Sequence, residues 1–139
     1  MKITIGSDHA GVDYKSEIVK FLEKEKHQTL DVGTYTKESV DYPEYAHLVS
    51  EEVAAGASLG ILICGSGNGV SMAANKHKGI RCAICWNEEI TRLARQHNNA
   101  NIISLPARFL TVKKCIKLID IFTKEPFEGG RHLRRINKI

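Results

Sequence analysis

Cys64 opens the run Cys64-Gly65-Ser66-Gly67-Asn68-Gly69, where a thiol meets alternating glycines. Such glycines ahead of a helix let several backbone N–H groups face one anion, either a phosphate or a developing oxyanion. The spacing is GxGxG. That is neither the dinucleotide GxGxxG nor a nucleotide-phosphate loop, since no Gly-Lys-Ser/Thr follows. Three glycines with two polar spacers also exceed what a tight positive-φ connection requires. A thiol beside a helix N-terminus can have its pKa lowered from about 8.5 toward neutrality, which suits a nucleophile or a general base. On spacing alone, a core cysteine fits Cys64 equally well.

A second polar run, Ser7-Asp8-His9-Ala10-Gly11, follows an apolar segment and precedes a helical one. Ser7 or Asp8 can cap that helix, which accounts for an acid there but not for the adjacent histidine. His97 begins the polar cluster His97-Asn98-Asn99-Ala100-Asn101. It can serve as a cation at a helix C-terminus, or as an acid if it converges on Cys64. Arg108, with Arg131 and Arg135 near the end of the chain, supplies guanidiniums able to grip a phosphate in bidentate fashion. A solvated basic tail is the plainer reading of the last two. His27, His47 and His77 read as surface residues.

Cys82-Ala83-Ile84-Cys85 has metal or redox spacing but lies in an apolar run that reads as a strand. Residues three apart on a strand face opposite ways, so the two thiols cannot share an ion. No second such pair completes a zinc site. These cysteines are expected to be reduced, buried and small, with no metal bound.

The elements that must position these residues alternate strand and helix. Apolar strands are expected at Lys2–Gly6, Thr29–Val32, Leu59–Cys64, Ile80–Trp86 and Ile102–Leu105. Helical periodicity covers Val12–Lys26, a segment opened by Pro43, Val70–Lys76, Glu88–Gln96 and Val112–Thr123. The pattern predicts an α/β fold: a three-layer αβα sandwich on a five-stranded parallel Rossmann-like sheet. The whole chain, 1–139, reads as one domain with a basic tail from about residue 129. In such folds ligands sit beyond the carboxyl ends of the strands.

The net charge of +4 resides entirely in Arg131, Arg134, Arg135 and Lys138, since the rest of the chain is balanced. With 6% aromatic residues and none in the tail, a nucleic-acid surface is not expected; a compact phosphate ester is. No apolar run approaches the roughly 18 residues of a membrane span. The first residues lack a signal-peptide core, so a cytoplasmic protein is expected.

Taken together and in order, Ser7-Asp8-His9-Ala10-Gly11, Asp41-Tyr42-Pro43, the Gly60–Gly69 segment, Ala74-Asn75-Lys76, Arg95-Gln96-His97-Asn98 and Gly129-Gly130-Arg131-His132 resemble the ribose-5-phosphate isomerase B family. That family also holds the galactose- and allose-6-phosphate isomerases. The resemblance implies a homodimer with shared sites, acting on a phosphorylated sugar without metal or organic cofactor. The reaction it implies is aldose–ketose isomerisation of ribose 5-phosphate and ribulose 5-phosphate through a cis-enediol, a step of the pentose phosphate pathway.

By residue match, Cys64 would be the base and His97 the ring-opening acid. The backbone of Gly65, Ser66, Gly67, Asn68 and Gly69 would hold the enediolate oxygen. Ser66 stands where a threonine is common, and its hydroxyl could assist. Asp8, His9 and Asn98 would contact sugar hydroxyls, while Arg108, Arg131 and Arg135 would take the phosphate, with Arg134 as a competitor of Arg135. Some members replace the cysteine by a glutamate just after the glycine loop; Val70 occupies that position here, which fits the thiol branch. Preorganised donors at a developing oxyanion are worth about 3–4 kcal/mol each in other enzymes. The alternatives are a hexose 6-phosphate isomerase (galactose or allose) and a non-catalytic phosphosugar- or nucleotide-binding module of flavodoxin-like fold.

Overall fold

Apolar, β-branched runs form the five strands in the computed structural model, which describes residues 1–57 and 59–139. The strands are β1 (Lys2–Ser7), β2 (Gln28–Asp31), β3 (Leu59–Cys64), β4 (Cys82–Ile84) and β5 (Ile102–Pro106). They pair in parallel in the order β2-β1-β3-β5-β4. The most apolar strand, β3, is central and buried along its whole length, as parallel sheets covered on both faces require.

Helices α1 (Val12–Lys24), α2 (Tyr42–Ala54), α3 (Asn68–Ala74), α4 (Glu88–Gln96), α5 (Val112–Lys124) and α6 (Arg131–Ile136) complete the fold. Side chains alternate along β3. Ile61 and Ile63 join Ile18, Leu22, Leu118 and Phe122 of α1 and α5 in one core. Leu62 and Cys64 turn to the other face, with Ala46, Val49, Val70 and Ala74 of α2 and α3. The expected three-layer sandwich is therefore present. The same alternation puts Cys82 and Cys85 against opposite cores, so they cannot share an ion.

Several boundaries move. The first helix stops at Lys24 rather than Lys26, whose φ of 61° is left-handed. The helix after the glycine loop starts at Asn68, two residues before the expected Val70, because Gly67 acts as its N-cap. The expected strand Ile80–Trp86 shrinks to Cys82–Ile84: Asn87 caps α4 through Ile90 N–H, and Trp86 is left half exposed. The basic tail is not a solvated extension. Arg131–Ile136 is helical, and His132 within it is buried. Among the described residues no helix is long and apolar enough to cross a membrane.

Side chains of α2 pack directly over Gly60. A Cβ there would sit 2.8 Å from Val49, 2.9 Å from Ile102 and 3.0 Å from Val53. Overfilling a packed core commonly costs about 1–3 kcal/mol. Gly60→Ala is expected to lower the urea midpoint by a corresponding amount with an unchanged slope; an unshifted midpoint would show that the α2–sheet contact yields freely.

Candidate active site

The first group of candidate residues gathers at the carboxyl ends of β1, β3 and β5. Ser7 of β1 lies opposite Ile63 of β3, so the residues that follow, Asp8 and Cys64, are neighbours across two strands. Asp8 Oδ1 accepts from the N–H of Ala10 at 2.9 Å, which is the capping role. Its Oδ2 accepts from the Cys64 thiol at 2.8 Å. One carboxylate oxygen of Asp8 thus starts the helical turn and the other holds the thiol. Both residues are nearly buried, at 5% and 8% exposure.

This pairing corrects the expectation of a pre-ionised thiol. Burial pushes Cys64 up to about 11, and the hydrogen bond to Asp8 and its charge push the same way. The N–H groups of Gly67 and Gly65 pull down, but less strongly. A short helix start is outweighed by desolvation and a facing carboxylate. Burial of Cys64 in the α2–α3 core also realises the core-cysteine reading in part.

Each glycine of the loop has its own cause. Gly67 adopts φ 74°, and its carbonyl accepts from the buried Ser104 hydroxyl at 2.8 Å. Gly65 faces the Arg108 guanidinium, with a Cβ there 3.1 Å from Nε. Gly69 lies under the Tyr42 ring, which would be 2.5 Å from a Cβ. Ala107 and Arg108 donate backbone bonds to the carbonyls of Cys64 and Gly65, at 2.9 and 3.1 Å, so the chain after β5 clamps the loop. Ser66 and Asn68 are exposed, and Ser66 Oγ accepts from Asn68 N–H at 3.3 Å. His9 Nδ1 accepts from Val40 N–H at 3.4 Å, and Arg108 is exposed beside the loop.

The second group lies at the other end of the sheet. His97 and Asn98 follow α4, which runs back toward the strand starts, and Asn101 N–H bonds to the Arg81 carbonyl ahead of β4. The turn between is held by Arg81, which donates to the carbonyls of Asn98 and Asn99, and by Arg95, which donates to the carbonyl of Ala100. His97 stacks on His132 of α6, with ring centroids 4.1 Å apart, so Arg131 and Arg135 belong to this end too. Both arginines are exposed.

Ile102, at the start of β5, pairs with Gly60, and Pro106, at its end, pairs with Cys64. That length of strand spans roughly 13 Å. Cys64 and His97 both flank strand ends, as expected, but they are opposite ends. One chain alone does not bring them together.

Sequence reasoning missed four residues of these groups. Tyr42 stands within the Asp41-Tyr42-Pro43 motif and was available to notice. His132 stands beside Arg131 in another motif. Ser104 and Glu128 carry no local signal.

A sequence profile described as Ribose/Galactose Isomerase matches residues 3–139. The chain belongs to that family. Within it, the chain is 47% identical over 139 residues to a probable ribose-5-phosphate isomerase B of Mycoplasma pneumoniae, covering 99% of this chain and 91% of the relative. It is 40% identical over 139 residues to ribose-5-phosphate isomerase B of Escherichia coli, covering 99% and 93%. Among solved structures, it superposes on ribose-5-phosphate isomerase B of Clostridium thermocellum with TM-score 0.98 at 46% identity, covering 99% and 94%. The Mycoplasma genitalium enzyme with bound ribulose-5-phosphate matches with TM-score 0.95 at 46% identity, covering 99% and 92%. The family resemblance of the six motifs is thereby established over the whole chain.

The Asp8–Cys64 pair is open to direct measurement. Alkylation of Cys64 by iodoacetamide, followed by peptide mass spectrometry, should keep rising with pH up to about 11. In Asp8→Asn the negative charge that raises the thiol is gone, so alkylation at pH 8 should speed up. An equal or slower rate would contradict the assigned coupling.

Proposed function

We propose that this chain interconverts D-ribose 5-phosphate and D-ribulose 5-phosphate through a cis-enediolate, at sites built jointly by two copies of itself. The observation that carries the proposal is the split just described. The thiol, its carboxylate and the glycine loop occupy one end of the sheet, while the histidine and two arginines occupy the other. An isologous dimer can bring the first group of one chain to the second group of its partner, twice over. Family membership and the relative with bound ribulose-5-phosphate support the substrate.

In this reading Arg108 and the partner's Arg131 and Arg135 hold the phosphate. The partner's His97 donates a proton to the ring oxygen as the C1–O bond to that oxygen breaks; the O1 hydroxyl gives its proton to solvent to leave the aldehyde, and solvent returns a proton to His97. His9 and the partner's Asn98 orient the hydroxyls. Asp8 takes the thiol proton as substrate displaces the remaining solvent, and the thiolate removes the C2 hydrogen as a proton. The electron pair moves through C1=O to leave charge on O1, facing the N–H groups of the Gly65–Gly69 loop. Asp8, now carrying a proton, delivers it to O1 and takes the proton of O2 as the C2 carbonyl forms. The thiol returns its proton to C1, and Asp8 then reprotonates the sulfur. Ser66, exposed at the loop, is placed to assist the transfer between O1 and O2. No metal or organic cofactor enters this sequence of proton transfers.

Cys64→Ala is expected to lower turnover of ribose 5-phosphate roughly a thousand-fold, within the range for loss of a general base, with substrate still bound. Assay over pentose and hexose phosphates should favour the pentose; near wild-type turnover by the variant would sink the mechanism. Sharing of the site has its own test. Cys64→Ala and His97→Asn are each expected to be nearly inactive alone, but unfolded and refolded together they should recover about one quarter of wild-type activity, because half the mixed dimers' sites are intact. A mixture that stays inactive would place both residues in one chain's site.

A further inference from the structure

His97 sits at the exposed end of α4, where an imidazole is ordinarily free to rotate. Here it is flanked on two sides. His132 stacks on it with planes 10° apart and centroids 4.1 Å apart. The His132 side chain is 7% exposed against 36% for His97, so the buried ring is the platform and the open one the working face. Glu128 Oε2 lies 3.4 Å from His132 Nε2 and 3.9 Å from His97 Nε2.

One backbone bond and one side-chain bond fix this arrangement. Glu128 N–H donates to the Gln96 carbonyl at 3.1 Å, and the Gln96 amide donates to Glu125 at 2.6 Å. Gly129 and Gly130, at φ 69° and 54°, turn the chain sharply so that α6 folds back over α4.

The ligand atoms of His97, Glu128 and His132 lie within 4.8 Å of one another, close enough to suggest a metal site. The ring planes argue against it. An imidazole binds a metal in its own plane, and two nearly parallel stacked planes do not meet at one ion. The stack instead suits a proton donor that must be held in one orientation.

We infer that His132 and Glu128 are the positioning pair for His97, setting the plane of the ring-opening imidazole and placing a negative charge beside it. This rests on the proposed role of His97 as the acid in ring opening. The charged groups facing His132 are His97 from α4, Glu128 from the preceding segment, and Arg131 and Arg135 from α6. Loss of solvent foremost, then His97 and Arg131, holds His132 below the usual histidine range. The Glu128 carboxylate then lies beside both rings, nearer to His132 than to His97.

The test separates ring opening from the carbon chemistry. Ribose 5-phosphate is mostly a closed ring in solution. Ribulose 5-phosphate cannot close a furanose ring because its 5-hydroxyl is esterified. Exchange of its C1 hydrogen with deuterated solvent requires the enediolate but no ring opening. His132→Ala should lower kcat on ribose 5-phosphate by roughly ten-fold or more, with C1 exchange within about two-fold of wild type. His132→Phe, which keeps the stack, should recover most of the loss. Glu128→Gln alters a half-exposed residue and tests the pair without disturbing the buried ring. It should lower kcat on ribose 5-phosphate while C1 exchange stays within about two-fold of wild type.

Equal losses in both assays, or none in either, would overturn the inference. A wild-type protein inactive in both assays would overturn the isomerase reading and this inference with it. An active wild type with unaffected variants overturns the inference alone.

Discussion

A parallel sheet has two chemically unequal ends, and this governs the arrangement of every polar group discussed here. Each strand delivers its following residues to one edge, and each returning helix delivers its following residues to the other. Cys64 ends a strand and Asp8 and Arg108 follow strands; His97 follows a helix, and α6 packs beside it. No rotamer change can move a residue across the length of β5. Within one copy of the chain the two sets therefore stay at opposite ends of the sheet.

Within one edge, the decisive contact is between a thiol and a carboxylate on neighbouring strands. Buried acids are costly unless their oxygens find donors. Asp8 finds one in Ala10 N–H and another in the sulfur, so the same carboxylate starts the helical turn and holds the thiol. The glycine loop then has two jobs that compete. Its N–H groups favour a thiolate, while the buried setting opposes one, and the setting prevails. The thiol is thereby held in its protonated form.

The order of strands and helices and the glycine loop were legible because they depend on contiguous residues. The burial of Cys64 against Asp8 was not, since it arises from the pairing of β1 with β3 across 56 positions. Trp86 was read into a strand because its run is apolar, yet Asn87 starts a helix and ends the pairing early. The tail looked solvated because of its charge. His132 and the two glycines before it fold it back instead. The opposite placement of His97 and Cys64 was readable in principle, from the fact that one follows a helix and the other ends a strand.

The protonated state of Cys64 has a chemical corollary outside catalysis. Peroxide attacks thiolates far faster than thiols, so a sulfur kept neutral and nearly enclosed is shielded from conversion to sulfenic acid. The remaining cysteines are likewise pushed to about 11 or 12 by burial. In a chain with four free sulfurs, packing thus keeps every thiol well above its ordinary ionisation range.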